Sequence, residues 1–425
     1  MLSIHNFVIT RSILTCDRSS ASCQKIVKLH FGMEIATLSS MPTPLETSAA
    51  RLPALDGLRG VAILGVLFSK AQLTPGFPSE FHLRWGHIVG SASVDLFFVV
   101  SGYLITMLLL AEKDRTRQIS LGAFYWRRAL RIIPAFLALL TALWLLDGHS
   151  DVEMRHIDWL SAATYTVNFI PESSWDAGHL WSLSIEEHFY LLWPLMVVLL
   201  SESQLRKLLV ALIVGTLLLR GVVLATQPQE ASILEVWTIF RWDTIAAGCW
   251  LALGLRHEAT RTRLMNFAVS PWALPATITV LIVSLGLNLS NKLGLTIGYS
   301  LTAIAWAALI LLALQRSSSL PGGYSRHQSL EIKGLWIRVL QSRFLVTIGI
   351  LSYSLYLWHR LFLRAETSQS WLHFPVNLAC LTLAAVACHW LIERPFLLLK
   401  NSWKSQPTTE QTLPWGSSAP VDGLV

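Results

Sequence analysis

Long apolar runs separated by short polar breaks dominate the chain from residue 60 onward. They fall at 60–78, 88–110, 132–146, 159–170, 183–200, 207–226, 233–253, 267–287, 294–314, 344–364 and 374–397. Most approach the ~20 residues that a helix needs to cross a hydrocarbon core of ~30 Å. Loop charge then tests the count, because cytoplasmic loops carry the excess of Lys and Arg. The loop 111–131 holds Lys113, Arg115, Arg117, Arg127, Arg128 and Arg131 and is assigned to the cytoplasm. The loop 147–158 holds Asp147, Asp151, Glu153 and Asp158 and is assigned outside. If 159–170 spanned, the basic loops at 206–207, 256–263 and 316–343 would fall outside; if it does not, all three fall inside. It is also short for a span. The pattern predicts an all-α integral membrane protein of the plasma membrane, a bundle of ten transmembrane helices. Segment 159–170 is then a non-spanning piece at the outer face, and both termini are cytoplasmic.

Composition supports this class. The chain is 53% hydrophobic and 14% charged, against about 25% charged residues in soluble domains. The net charge of +7 fits basic cytoplasmic loops facing a lipid bilayer and gives no reason to expect nucleic acid. Five cysteines, Cys16, Cys23, Cys249, Cys380 and Cys388, form no CxxC pair, so neither a disulfide framework nor a metal site is implied. Residues 1–50 are Ser/Thr-rich and lack the apolar run of a signal peptide; they read as a disordered cytoplasmic leader, with Met33 and Met41 as alternative starts. Residues 401–425 read as a disordered cytoplasmic tail.

Ionisable groups inside apolar runs are functional hypotheses by default. Asp56 and Arg59 open the first run and Lys70 follows eleven residues after Arg59, ~16 Å further along a helix. Lys70 either faces a polar cavity or snorkels to the far interface. Asp95 sits in the second run, as a substrate contact or a polar helix–helix contact. Arg127, Arg128 and Arg131 open the third run at helical spacing; guanidiniums so placed suit phosphate recognition or serve as a plain basic anchor. His179, Trp181, Glu186 and Glu187 cluster at the start of the fifth run, where a carboxylate could orient a hydroxyl or a base. Arg241 and Asp243, two apart, point different ways and call for partners on other helices. His359 is a packed hydrogen-bonder or a ligand.

Taken in order, these stretches resemble the acyltransferase-3 family of integral-membrane O-acyltransferases. The carriers are Leu55-Asp56-Gly57-Leu58-Arg59-Gly60, the stretch 94–106 around Asp95, the stretch 124–134 with its three arginines, 179–187, 352–359 and Glu393-Arg394-Pro395-Phe396. The resemblance covers a membrane domain at 51–400. It implies transfer of an acyl group, acetyl in the leading reading, from cytoplasmic acyl-CoA to a hydroxyl of an envelope glycan or related metabolite at the outer face, with no metal. It implies that Arg127, Arg128 and Arg131 hold the CoA phosphates and that Asp56 and Arg59 position the thioester. Glu186 and His179 then orient the acceptor, and Asp95, Trp181, Glu187 and His359 complete the substrate contacts. One departure stands out: the family has an Arg, ten intervening residues and then a catalytic His, and this chain has Lys70 at that place. An ordinary ammonium keeps its proton at neutral pH, whereas a desolvated one can release it and act as a base. A Lys70 that stays charged would instead pair with Asp95 or Glu186. That would leave a catalytically impaired relative that binds or passes a lipid-linked saccharide.

Overall fold

The computed structural model describes residues 52–83, 85–148, 151–289, 291–316 and 332–402. The leader expected at 1–50 and the tail expected at 401–425, apart from its first two residues, lie outside the described residues. Among the described residues every regular element is helical. Helix α1 spans Pro53–Ala71, α2 Gly86–Thr116, α3 Leu121–Leu146, α4 His156–Ala163 and the one-turn α5 Trp175–Gly178. Then follow α6 at Trp181–Leu199, α7 at Glu202–Thr226, α8 at Trp242–Gly254, α9 at Glu258–Val269 and α10 at Ala273–Leu287. The chain continues through α11 at Tyr299–Arg316, α12 at Ile332–Leu340, α13 at Arg343–Phe362, α14 at Val376–Cys388 and α15 at Arg394–Ser402.

Five segments among the described residues are long and apolar enough to cross a membrane: Gly86–Thr116, Leu121–Leu146, Glu202–Thr226, Gly294–Gln315 and Val376–Leu399. Two bent pairs, α9 with α10 at 92° and Gly334–Leu340 with α13 at 45°, raise this to seven if each counts as one span. The protein is therefore a multi-pass membrane protein, but the expected ten spans are not reached on this criterion. The physical reason lies in the remaining candidates. Helix α1 carries Asp56, Arg59 and Lys70, α6 carries Glu186 and Glu187, and α8 has only 13 residues. Their polar groups face one another inside the bundle, where intramembrane charge is tolerated. Segment 159–170 holds the end of α4 and a 3-10 turn at Val167–Phe169, both too short to span.

Boundaries also move. The third run begins at Leu121 rather than 132, because Ser120 caps the helix by accepting from Ala123 N at 3.4 Å. The three arginines are thus helical, and the expected long loop at 111–131 shrinks to the few residues between α2 and α3. The run at 233–253 is broken: a turn of 3-10 helix at Thr238–Phe240 separates Ile233–Val236 from α8.

Helix α1 lies against α13 and the end of α12 at backbone contact. A Cβ on Gly57 would fall 1.9 Å from Leu340 O, one on Gly60 2.3 Å from Leu345 O, and one on Gly349 1.8 Å from Asp56 O. Small residues at such crossings let backbones close without hydrophobic driving force from lipid. Away from this seam, two ion pairs are sealed in the core. Asp95 of α2 accepts from Arg241, whose guanidinium also stacks 3.9 Å from the Tyr299 ring centroid. Asp243 of α8 pairs with Arg220 of α7, and Ser300 donates to the same carboxylate at 2.8 Å. Asp95, Arg220 and Arg241 have no measurable exposure.

Gly349→Ala should lower thermal stability in detergent by about 1–3 kcal/mol, the range for overpacking. Gly122→Ala, where nothing lies within 4 Å, should be neutral or stabilising; equal effects of the two changes would contradict the seam. Asp95→Asn strands a buried Arg241 and should cost about 3–5 kcal/mol. The double change Asp95→Asn with Arg241→Gln should recover part of that loss in a double-mutant cycle, and simple additivity would show that the pair is not coupled.

Candidate active site

Three helices present polar stripes to one another. On α1, Arg59 and Lys70 are eleven residues apart, three turns and only ~20° of rotation, so they share a face. On α6, Ser182, Glu186 and Tyr190 recur every four residues. On α13, Ser352, Tyr356 and His359 follow the i, i+4, i+7 pattern of one face. The stripes meet to form two clusters joined by a short bridge.

The first cluster lies toward the arginine-rich start of α3. Arg59 donates from Nη2 to Ser352 Oγ at 2.9 Å and lies 3.7 Å from Asp56. The Glu186 carboxylate stands in the field of Arg59, Arg128 and Arg131 and is hydrogen-bonded to Tyr190. Tyr190 in turn bonds Ser101 of α2, and the Arg128 guanidinium lies 4.6 Å from the Tyr190 ring centroid. Arg127 points elsewhere: it pairs with Glu112 at 2.8 Å, and Glu112 also accepts from Ser120 N at 3.0 Å, which ties α2 to the start of α3. Of the three arginines expected to hold phosphate, two therefore face the cluster and one is committed to a helix junction. Glu393 also belongs to this end of the bundle: it accepts from Ser354 and from His389 Nδ1 and acts on Arg131.

The bridge is the Ser182–Tyr356 hydroxyl pair at 2.6 Å, with Tyr356 also donating to His179 O at 3.0 Å. Beyond it, His179 and His359 meet edge to face with ring centroids 5.0 Å apart. His179 donates from Nε2 to Leu357 O at 3.0 Å, and His359 donates from Nδ1 to Tyr356 O at 2.6 Å. Carbonyls accept only, so these bonds assign the tautomers. The neutral rings then carry lone pairs on His179 Nδ1 and His359 Nε2, and His179 Nδ1 is buried with no hydrogen-bond partner among the described residues. Lys70 and Arg360 complete this second cluster, both over the Trp175 ring at 5.7 and 4.4 Å.

Outside the spanning helices, two carboxylates fix the cover of this end. Asp158 takes Arg155 Nε and Nη2 at 2.8 and 2.9 Å and Ser174 N at 3.2 Å, and the Arg155 bonds hold its carboxyl below the ordinary range. Asp176 accepts from Arg364 Nη1 at 2.6 Å, yet burial pushes its carboxyl upward.

The expected substrate residues thus divide. His179, His359 and Lys70 converge, and Asp56, Arg59 and Glu186 converge at the other end. Asp95 and Trp181 belong to neither cluster: Asp95 neutralises Arg241, and Trp181 packs on Phe98 at 6.1 Å with the Arg241 guanidinium 6.0 Å from its ring. Glu187 lies beside Arg128 and Glu186, with a buried Oε1 that has no partner among the described residues. Lys70 forms no ion pair with Asp95 or Glu186. Sequence reasoning missed Ser352, Tyr356, Tyr190, Trp175 and Arg360. The helical spacing of Ser352 and Tyr356 with His359 was a readable signal; nothing local marked Trp175.

Residues 52–394 match the family described as Acyltransferase domain. The O-acetyltransferase OatA of Staphylococcus aureus strain NCTC 8325 / PS 47 is 29% identical over 334 residues, covering 72% of this chain and 50% of that protein. The OatA proteins of strains COL and MRSA252 match with the same figures. The chain spans about half the length of these curated relatives, and no solved structure matches it. A match over so much of the chain makes this protein a member of the acyltransferase-3 family.

Proposed function

We propose that the protein is a membrane O-acyltransferase that moves an acetyl group from acetyl-CoA to a hydroxyl of an envelope glycan or related metabolite. The observation that carries this reading is the shared construction of the two clusters. Helices α1 and α13 each contribute to both, and α6 contributes to the first and to the bridge, so a line of polar side chains runs from one cluster to the other. Arg128 and Arg131 hold phosphate groups of the donor at the basic end, which the charge of the neighbouring loops assigns to the cytoplasm. Arg59 and Asp56 guide the acyl-bearing arm along α1 toward Ser182 and Tyr356. The acceptor hydroxyl enters at the opposite end.

Transfer needs a group that takes the acceptor proton as the oxygen attacks the thioester carbonyl. Lys70 stands where the family has its His, but the lone pairs of His359 Nε2 and His179 Nδ1 lie within the same cluster. In this proposal the base is His359, with His179 packed against it, and Lys70 supplies positive charge. The proton passes to His359, the C–S bond breaks, and coenzyme A leaves as the thiol after recovering a proton. A second reading, a relative that binds a saccharide without turning it over, draws on Lys70 alone.

Protein reconstituted in vesicles with labelled acetyl-CoA and a panel of sugars should give an alkali-labile acetyl ester on the acceptor. His359→Ala should lower kcat by about 10²–10⁴-fold, the usual worth of a positioned base. Retention of full activity would overturn the assignment of the base. An inert wild type that gains turnover as Lys70→His would favour the second reading instead.

A further inference from the structure

The end of the bundle with the two histidines carries more positive charge than it neutralises. Lys70 and Arg360 come from different helices and both approach one indole, that of Trp175, at 5.7 and 4.4 Å from its ring centroid. The arrangement is fixed rather than incidental. Arg360 Nη1 donates to Trp175 O at 2.7 Å and Trp175 Nε1 donates back to Arg360 O at 2.9 Å. Gly178 leaves the space that the guanidinium occupies: a Cβ there would lie 2.4 Å from Arg360 Nη1. No carboxylate among the described residues forms an ion pair with either cation. The nearest candidate, Asp176, is held by both terminal nitrogens of Arg364, at 2.6 and 3.3 Å. Two polar atoms at this place are buried without partners, Arg360 Nε and His179 Nδ1.

Two like charges brought together in a partly desolvated place repel, and an anion between them relieves the repulsion. Flat guanidinium donors suit the oxygens of a carboxylate or phosphate, and an indole face suits the apolar side of a ring. We propose that Lys70, Arg360 and Trp175 form a subsite for an acidic acceptor, one whose sugar ring carries a carboxylate or a phosphate near the hydroxyl to be acylated. The proposal rests on the acyltransferase reading and gives a physical role to the Lys that replaces the family His: it selects the acceptor by charge.

The test is binding, measured apart from turnover. Purified full-length protein in detergent, without acetyl-CoA, is titrated by calorimetry with glucuronate, glucose 6-phosphate, glucuronamide and glucose at constant ionic strength. Binding of glucuronate or glucose 6-phosphate at least tenfold tighter than of the neutral pair is expected, and their order tells carboxylate from phosphate. Lys70→Gln and Arg360→Gln should each erase that preference. Gly178→Ala keeps every charge but displaces the guanidinium and should weaken the acidic ligand at least severalfold, which covers the case in which a charge-removing variant fails to fold. Equal affinity for glucose and glucuronate, or a preference that survives Gly178→Ala and Lys70→Gln, would overturn the subsite. A charge preference in binding with no acetyl transfer to any acceptor would instead count against the transferase reading alone.

Discussion

The backbone contact of α1 with α13 is the constraint from which the rest follows. Gly60 and Gly349 at this crossing, and Gly57 against Leu340 at the end of α12, allow main chain to rest on main chain, and side chains on the shared face have no freedom to drift. Arg59 is thereby set against Ser352, and three turns later Lys70 is set beside the turn of α13 that carries His359 and Arg360. Any residue larger than glycine would part the helices and separate the two halves of both clusters together. Membrane bundles rely on such packing because lipid tails offer no hydrophobic gain from helix association.

Buried charge in this protein falls into two kinds. Asp95 with Arg241 and Asp243 with Arg220 are closed pairs with no exposure, anchored by Tyr299 and Ser300. Removing one partner of such a pair is far more costly than the pair is stabilising, so they fix how α2, α7, α8 and α11 sit together. The stripes on α1, α6 and α13 are open by contrast. Glu186 faces three arginines, Lys70 and Arg360 form no ion pair among the described residues, and His179 keeps a nitrogen with no partner among them. Unbalanced groups of this sort are poor structural cement and good ligands.

The membrane class, the non-spanning nature of 159–170 and the family stretches were all legible in the residues. Apolar periodicity and loop charge carry that information locally. The span count was not, because α1 and α6 hide their polar stripes against each other and so resemble neither a lipid-facing helix nor a soluble one. The site was half legible. Arg59 with Lys70 and Ser182 with Glu186 follow helical spacing, but whether Asp95 joins them depends on Arg241, which lies 146 residues away in sequence. Arg127 and Arg128 are neighbours with opposite fates because consecutive helical residues diverge by ~100°, and only the position of Glu112 decides which one turns inward. Trp175 acquires its place through bonds to Arg360, 185 residues distant, which no local pattern announces.

The central claim is a single polar path along α1 that joins a donor end to an acceptor end. A cryo-electron microscopy structure of the protein in nanodiscs with a non-hydrolysable acetyl-CoA analogue tests it most directly. The account predicts phosphate density against Arg128 and Arg131 and the acyl end beside Ser182 and Tyr356, with Gly349 still in contact with the backbone of Asp56. Donor density outside the α1–α6–α13 interior, or a gap opened between α1 and α13, would contradict it.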